Sequence, residues 1–242
     1  MKFPAPLIRG TLIKRYKRFL ADVLLEAPLP DGRREIVAHC ANSGSMLTVC
    51  EPGSEVWVSP AANPDRKLQF SWELIRVGRS LVGINTMHPN KLAAEAILDG
   101  TIVELQGYAS LRREVKYGKN SRIDLLLESP DRPPCFVEVK NVTLVRNTGL
   151  AEFPDSVTAR GAKHLDELID QVALGNRAVM FYLAQRGDCT SFAPCHDIDP
   201  TYAKGLIKAA RAGVEVLVYG CRVTAREIKV IGPIPLAAVT GN

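Results

Sequence analysis

Two apolar segments decide the fold of the larger part of this chain: RIDLLL at residues 122–127 and CFVEVKNV at residues 135–142. The stretch between them, residues 128–134, is rich in turn-forming residues, so we predict an antiparallel hairpin. One register gathers every second residue of both strands on an apolar face, whereas a shift by one residue mixes charged and apolar side chains. The apolar pairs predicted by this register are Leu127–Cys135, Leu125–Val137 and Ile123–Val139.

The opposite face of the predicted hairpin carries charge. Asp124 lies across from Glu138, and Arg122 lies across from Lys140. Two facing carboxylates repel each other unless something compensates, and a divalent cation with oxygen ligands, Mg²⁺ or Mn²⁺, would do so. Lys140 lies about 7 Å along the strand from Glu138, where it is placed to orient a water or to stabilise charge on a phosphate oxygen.

An ordinary polar edge explains the same pattern, with Asp124 in a salt bridge to Arg122 or Lys140, and geometry alone leaves both interpretations open. The Glu-x-Lys spacing also occurs a second time in the chain, at residues 114–116. That copy has no apolar flank and no aspartate-bearing strand ahead of it, so we interpret it as a solvated strand end.

The rest of the chain divides into two regions of different pattern. Residues 1–86 predict a small OB-like β-barrel, because they contain short β-branched and aromatic runs separated by turn signals. These runs are 11–16, 19–26, 34–40, 55–59, 68–77 and 80–86. Residues 87–242 predict a mixed α/β domain with a central sheet, in the order α-β-β-β-α-β-α-β-β. Its predicted helices follow Pro89 and span 157–173 and 199–213, and its predicted strands are 102–117, 121–128, 135–145, 177–184, 214–220 and 223–231.

Composition excludes several classes of protein. The chain has 242 residues, of which 46% are hydrophobic and 24% are charged, as in a packed globular protein rather than a disordered, collagenous or coiled-coil one. The six cysteines form no CxxC pair or His/Cys cluster, so we predict neither a zinc site nor a disulfide framework. No secretory signal or membrane-length apolar run is present, so we expect a cytoplasmic protein without membrane contact.

Basic side chains are concentrated at the front of the chain. Residues 1–86 contain 12 basic and 8 acidic side chains, and the first 20 residues contain six basic and no acidic ones. OB barrels bind nucleic acid with cationic side chains, which contact the phosphate backbone, and with aromatic side chains, which stack on the bases. We therefore predict DNA contacts at Lys14, Arg15, Tyr16, Lys17 and Arg18. The alternative is a solvated edge with Tyr16 and Phe19 in the core.

Longer motifs cover nearly the whole sequence. They are RYKRFLADV (15–23), AHCANSGSM (38–46), HPNKLAAEAI (88–97), SRIDLLL (121–127), FVEVKNVTL (136–144), FPDSVTARGAKHLDEL (153–168) and IDP (198–200). Together they resemble the sugar fermentation stimulation protein A family of prokaryotes. The resemblance implies an N-terminal OB-fold, a C-terminal domain of the PD-(D/E)XK nuclease type, and DNA binding.

The resemblance also implies roles for individual residues. The catalytic aspartate of the nuclease superfamily falls on Asp124, its Glu-x-Lys falls on Glu138, Val139 and Lys140, and the glutamate of its preceding helix falls on Glu95. The implied metal ligands are the three carboxylates and the main-chain carbonyl of Val139. From the residues alone, Glu95 is a charge at the border of an apolar helical stripe.

A lysine on a predicted helix and a loop of the barrel each allow more than one interpretation. Lys163 and Glu167 are spaced as a helix-stabilising ion pair, but Lys163 also lies where it would reach a phosphate beside the Glu-x-Lys strand. We interpret His164 as structural. The residues 42–45, Asn-Ser-Gly-Ser, are explained as a turn, and a loop contact to DNA is favoured over catalysis.

Two functions follow from these observations. The first is a DNA-binding phosphodiesterase that depends on Mg²⁺ or Mn²⁺ and acts on single- or double-stranded DNA. The second is a DNA-binding transcriptional regulator of sugar catabolism that retains the nuclease fold without catalysis. No dinucleotide fingerprint, phosphate-cradling glycine loop or glycosidase carboxylate pair supports an enzyme acting on sugars. The oligomeric state stays open, with a homodimer as one option.

Overall fold

The structure is a computed structural model that describes residues 1–63, 65–118 and 121–237. The last five residues of the predicted second domain, 238–242, lie outside the described residues. In the part of the chain described, no helix is long and apolar enough to cross a membrane.

The N-terminal region folds as a small closed barrel, as predicted. Its strands run in the order β3-β2-β1-β4-β5-β6, and β3 also pairs with β5, so five strands close on themselves. The strands are β1 (Ile8–Tyr16), β2 (Leu20–Leu25), β3 (Glu35–His39), β4 (Glu55–Pro60), β5 (Phe70–Val77) and β6 (Ser80–Gly83). Alternate residues point inward around the fully buried Trp72, whose indole N–H donates to the Leu74 carbonyl at 2.9 Å.

The second region is built on a six-stranded mixed sheet, also as predicted. Its order is β15-β14-β12-β9-β8-β7, with β9, β12 and β14 parallel to one another. These strands are β7 (Ser110–Tyr117), β8 (Ser121–Ser129), β9 (Arg132–Val142), β12 (Arg177–Ala184), β14 (Glu215–Val223) and β15 (Ile228–Pro233). A second, three-stranded sheet is formed by β10 (Leu144–Asn147), β11 (Leu150–Phe153) and β13 (Ser191–Pro194).

Three α-helices cover the two faces of the larger sheet. They are α1 (Pro89–Leu98), α2 (Ala159–Ala173) and α3 (Pro200–Arg211). Helix α1 packs Leu92 and Ala96 into one core cluster, whereas α2 and α3 pack Leu165 and Leu206 into the other. Because each face is covered, β12 is buried along almost its whole length.

The sequence predictions differ from the structure at the short elements. The predicted strand 102–117 begins as a 3₁₀ turn at Val103–Leu105, and only Ser110–Tyr117 pairs in the sheet. The three-stranded sheet was not predicted as such. Each of its strands has only four residues, and the parallel pairing of β11 with β13 joins segments distant in sequence, so no local pattern signals it.

The predicted hairpin register is confirmed for three residues of β8. Leu125 pairs with Val137, Leu126 with Phe136 and Leu127 with Cys135. The expectation that Ile123 continues the apolar face of Leu125 is wrong, because Ile123 packs into the core cluster of α2 and α3 and Leu125 into that of α1. The alternation of β8 therefore breaks at Asp124, the residue between them.

The barrel is joined to the larger sheet through a buried glutamine. The N–H of Gly83 in β6 donates to the Gln185 carbonyl at 2.8 Å. The side-chain Nε2 of Gln185 donates to the Asn85 carbonyl at 3.2 Å and to Asn141 Oδ1 at 2.7 Å. The chain start contributes as well, since the N–H of Phe3 donates to the Arg226 carbonyl at 3.0 Å. The two regions therefore share main-chain hydrogen bonds.

This junction predicts an effect of Gly83→Ala on stability. A Cβ at Gly83 lies 2.8 Å from Gln185 Oε1 and 3.1 Å from its Cβ, so it crowds a buried contact. We expect a loss of about 2 kcal/mol in the free energy of unfolding, measured by urea denaturation. Gly232→Ala is the matched control, because a Cβ there meets nothing within 4 Å and its effect is expected within about 0.5 kcal/mol. Equal stability of both variants would contradict the packing described.

Candidate functional site

A polar cleft of about 370 Å³ lies between the barrel and the larger sheet. Its walls come from the barrel loop 42–44, from the start of α1, from the facing parts of β8 and β9, and from the first turns of α2. Asp124, Glu138 and Lys140 all line it. The structure thus brings together the three residues of the predicted carboxylate and lysine site.

Asp124 lies where the strand pairing opens. Between β7 and β8 the pairs Arg113–Leu125 and Val115–Ile123 flank it, while Glu114, opposite Asp124, has a left-handed φ of 55°. Because the ladder from β8 to β9 stops at Leu125, the Asp124 carboxylate turns into the gap. Its Oδ2 accepts the Val139 N–H at 2.7 Å.

The other oxygen of Asp124 is held by helix α1. Asn90 Nδ2 donates to Asp124 Oδ1 at 2.7 Å and to Glu114 Oε1 at 3.0 Å. In an extended strand the N–H and C=O of one residue point to the same side, so the Val139 carbonyl also faces the gap that Asp124 enters. One carboxylate and one main-chain carbonyl therefore meet there.

Glu138 is buried, with 2% of its surface exposed. Its Oε1 accepts from Lys140 Nζ at 2.6 Å and contacts His164 Nδ1. Its Oε2 has no hydrogen-bond partner in the described ranges. A buried carboxylate oxygen without a partner loses its hydration without replacement, which is costly.

The tautomer of His164 follows from its two neighbours. Arg160 Nε donates to His164 Nε2 at 3.4 Å, so this nitrogen carries the lone pair. Nδ1 therefore carries the proton and donates it to Glu138 Oε1. Lys140 Nζ lies 3.3 Å from Nδ1 and directs its own hydrogen bond to the same carboxylate oxygen. His164 is thus structural, as predicted from the sequence, but its structural role is inside the site.

The two carboxylates of the cleft have pKa shifts of opposite sign. Burial, followed by the negative charge of Glu138, raises the pKa of Asp124 to about 6. For Glu138, burial opposes ionisation, but the hydrogen bonds from His164 and Lys140 and the positive charge of Lys140 outweigh it and lower the pKa. Glu138 is therefore ionised at neutral pH, and Asp124 is the group that its charge destabilises.

This donor set fits a hard divalent cation. Asp124, the unpartnered Oε2 of Glu138 and the Val139 carbonyl are oxygen ligands, and a cation would relieve both the repulsion and the missing partner. Within residues 1–63, 65–118 and 121–237, no group of three or more His, Cys, Asp and Glu side chains is close enough to bind a metal. Two carboxylates and one carbonyl are few ligands for such an ion, as in sites where Mg²⁺ keeps several waters.

Glu95 is not among the residues that line this cleft. Its carboxylate lies 2.8 Å from the Met1 ammonium and 3.8 Å from Lys91 Nζ, at a separate small pocket. The helix residue that reaches Asp124 is Asn90, nearly one and a half turns earlier in α1. Sequence spacing placed Glu95 on the border of the apolar face but did not give the rotation of α1 against the strands.

Lys163 also lies away from the cleft lining. Its Nζ lies 3.4 Å from Glu167 Oε1 and 3.5 Å from Ser121 Oγ. The ion-pair interpretation therefore describes this lysine, and the cation of α2 that lines the cleft is Arg160. Arg160 was missed because a sequence pattern does not fix which side of a helix faces a cleft.

Arg15, a residue of β1, supports one wall of the cleft. Its guanidinium donates to the carbonyls of Asn42 at 3.0 Å, Gly44 at 2.9 Å and Ser45 at 3.2 Å. These hydrogen bonds direct the guanidinium donors of Arg15 to the loop. The predicted turn at residues 42–45 is held by Arg15 and forms one wall of the cleft.

The same loop is fastened to the second region by Asp155. Its Oδ2 accepts the Met46 N–H at 2.9 Å, and its carbonyl accepts the Ser45 hydroxyl at 2.6 Å. A Cβ at Gly44 would lie 2.8 Å from Asp155 Oδ2, so glycine permits this approach. The loop is thus held from both sides.

The remaining predicted DNA contacts lie along β1 and its turn. Lys14 Nζ lies 3.5 Å from Asp22 Oδ2 and 5.4 Å from the centre of the Tyr16 ring. Lys17 and Arg18 form the exposed turn to β2, with left-handed φ values of 47° and 61°. Neither is in the cleft lining, so these residues form a separate basic edge of the barrel.

Comparison with known proteins identifies the family. Residues 13–84 match the description "SfsA N-terminal OB domain", and residues 87–227 match "Sugar fermentation stimulation protein RE domain". The chain belongs to the sugar fermentation stimulation protein (SfsA) family. It is 58% identical to the homolog from Paramagnetospirillum magneticum over 98% of both chains. It is 60% identical to the homolog from Rhodospirillum centenum over 93% of this chain and 94% of that one.

A solved SfsA structure has the same fold. The structure of SfsA from Pyrococcus furiosus in complex with Ca²⁺ superimposes with a TM-score of 0.86, covers 98% of both chains and shares 26% sequence identity. The resemblance inferred from motifs is therefore confirmed at the level of family and fold.

The raised pKa of Asp124 predicts a pH effect on the stability of this SfsA protein. Between about pH 4 and 6 the folded protein retains a proton that the unfolded chain has released, so rising pH lowers the free energy of unfolding. Asp124→Asn removes this titration. Its stability relative to wild type, measured by urea unfolding in EDTA, is expected to increase by about 2 kcal/mol from pH 4 to pH 7.

Asp131→Asn is the control for this pH series. Asp131 is exposed, and a hydrogen bond with Ser129 lowers the pKa of its carboxyl. Asp131→Asn is therefore not expected to gain stability relative to wild type from pH 4 to pH 7. Parallel pH profiles of wild type and Asp124→Asn would contradict the electrostatics of the SfsA cleft.

The role of Arg15 in this SfsA chain is tested by comparing it with Lys17. Arg15→Ala removes the donors that hold the loop 42–45, and we expect it to lower the free energy of unfolding by about 2 kcal/mol. Lys17→Ala changes an exposed turn residue, with an expected effect within about 0.5 kcal/mol. Urea denaturation measures both, and equal effects would show that Arg15 does not fasten the loop.

Proposed function

We propose that this protein is a DNA-binding phosphodiesterase that depends on a divalent metal ion. The observation that carries the proposal is the pair Asp124 and Glu138, with an unpartnered buried oxygen on Glu138 and Lys140 bound to the other oxygen. The P. furiosus relative, whose structure is described as a complex with Ca²⁺, supports a cation site in the family. In this proposal residues 87–242 form a PD-(D/E)XK nuclease-type domain.

Asp124, Glu138 and the Val139 carbonyl would hold Mg²⁺ or Mn²⁺. When bound, the ion supplies Lewis-acid stabilisation of charge on the phosphate and lowers the pKa of water. The protein supplies the orientation: Asn90 and the Val139 N–H fix Asp124, and His164 fixes Glu138. The geometry of the proposed ligands is therefore set before any substrate enters.

Lys140 is the residue proposed to act on the reacting groups. Its side chain is mostly buried, and its Nζ is held at 2.6 Å from Glu138 Oε1 at the wall of the cleft. Its remaining N–H donors are available to a water or to a non-bridging phosphate oxygen. Water attacks phosphorus and releases a proton to solvent, one P–O ester bond breaks, and the leaving oxygen takes up a proton from solvent. Lys140 stabilises the negative charge that develops on the phosphate in this reaction.

The barrel, residues 1–86, is proposed to hold the DNA. A groove of about 690 Å³ crosses the barrel, with Lys14, Arg33 and Lys67 among its lining residues. Apolar Val37 and Phe70 line the same groove. Cations beside apolar and aromatic surface suit a strand whose phosphates are neutralised while its bases stack. This groove, rather than Arg15, is the barrel surface we assign to DNA, single- or double-stranded.

A cleavage assay tests the proposal. Purified wild-type protein is incubated with plasmid and with single-stranded DNA, in Mg²⁺, Mn²⁺ or EDTA, and products are resolved on gels. We expect cleavage in the metal ions and none in EDTA. Asp124→Asn, Glu138→Gln and Lys140→Met are expected to reduce the rate at least about 100-fold, as for loss of a group that stabilises the transition state.

Glu95→Gln is the control, because Glu95 lies at a separate pocket and its variant is expected to cleave at the wild-type rate. Wild-type rates in the Asp124 and Lys140 variants would contradict the assignment. Salt-sensitive DNA binding without metal-dependent cleavage would instead support the non-catalytic DNA-binding regulator.

A further inference from the structure

One cationic side chain of the cleft lining forms no ion pair with a carboxylate among the described residues. Its lining includes four carboxylates, Asp124, Glu138, Glu152 and Asp155, and two cationic side chains, Lys140 and Arg160. Lys140 is bound to Glu138, and Glu152 is bound to Arg146 at 2.6 and 2.9 Å. In the described part of the chain, no carboxylate pairs with Arg160.

Arg160 is exposed and is the second residue of α2, so it stands in the first turn of that helix. Its Nε donates to His164 Nε2 at 3.4 Å. Its two Nη groups have no acceptor among the residues that the structure describes. An arginine offers a planar fork of donors that matches phosphate oxygens, and a helix N-terminus favours an anion at the same place.

We propose that Arg160 binds a non-bridging oxygen of a DNA phosphate in the cleft and, through His164, is a positioning residue for Glu138. This inference rests on the proposed function, whose site it extends. Arg160 Nε–H fixes the His164 tautomer and His164 Nδ1–H holds Glu138 Oε1, while Glu138 Oε2 has no hydrogen-bond partner among the described residues. Phosphate binding and ligand orientation are thus linked by two hydrogen bonds.

Lys163 gives a matched comparison on the same helix. It is three residues from Arg160 and also carries one positive charge, but it pairs with Glu167 and lies outside the cleft lining. An effect of net charge alone would be equal for the two residues. An effect of position would be confined to Arg160.

The first measurement is DNA affinity. An oligothymidylate of about eight nucleotides is titrated against wild type, Arg160→Ala, Arg160→Lys and Lys163→Ala, with EDTA and with Ca²⁺. Loss of a charge-assisted hydrogen bond predicts about 10-fold weaker binding for Arg160→Ala and a salt slope smaller by about 0.7. Arg160→Lys is expected to recover part of the affinity, and Lys163→Ala is expected to bind within about 2-fold of wild type. Equal losses at Arg160 and Lys163 would overturn the phosphate contact.

The second measurement is the ¹⁵N NMR signature of the His164 ring, recorded without DNA and then with the same oligothymidylate. Wild type is expected to show protonated Nδ1 and unprotonated Nε2, and Arg160→Ala is expected to lose that preference. A retained tautomer in Arg160→Ala, or unchanged Arg160 Nε and His164 signals on adding DNA, would overturn the positioning role.

These readouts separate the inference from the proposed function. Wild-type protein that binds the oligothymidylate through Arg160 but does not cleave DNA in Mg²⁺ or Mn²⁺ would refute the phosphodiesterase and leave this contact standing. Metal-dependent cleavage with an unchanged KM in Arg160→Ala would refute the contact and leave the phosphodiesterase standing.

Discussion

The buried carboxylate of Glu138 is the constraint on which the cleft depends. One of its oxygens is satisfied by Lys140 and His164, and the other has no partner in the ranges that the structure describes. Removing a charged group from water is costly unless its hydrogen bonds are replaced. Because Asp124 is buried and also faces the charge of Glu138, its pKa rises, and the protein holds two carboxylates in an arrangement that a cation would stabilise. Without a cation, this arrangement of two buried carboxylates lowers the stability of the fold.

The surrounding elements hold this arrangement open. The ladder between β8 and β9 runs from Ser129 back to Leu125 and does not include Asp124, which turns toward the Val139 N–H instead. Helix α1 fixes the same carboxylate through Asn90, and α2 fixes Glu138 through His164. The barrel closes the cleft with the loop 42–45, which Arg15 holds from the barrel side. The OB barrel is therefore part of the site's wall as well as a proposed DNA-binding surface.

The hairpin and its charged face could be predicted because a strand's side-chain period of two residues ties the apolar pattern to the register. That pattern placed Asp124 near Glu138. It did not reveal that the side-chain alternation of β8 breaks at Asp124, so that Ile123 faces the other core. The break arises because Asp124 is paired with neither β7 nor β9. The rotation of each helix against the sheet decides which of its residues line the cleft. In α1 this residue is Asn90 and not Glu95, and in α2 it is Arg160 and not Lys163. Counting charges likewise pointed to Arg15 as a DNA contact, because composition does not show that its donors are already used.

The position of a bound metal ion is the most direct test of the proposed site at Asp124 and Glu138. Crystals of the protein soaked in Mn²⁺ and measured near the manganese absorption edge would locate the ion by its anomalous signal. We expect a peak between Asp124 and Glu138, within ligand distance of the Val139 carbonyl. An ordered peak elsewhere, for example at Glu152 or Asp197, with none between Asp124 and Glu138, would contradict it.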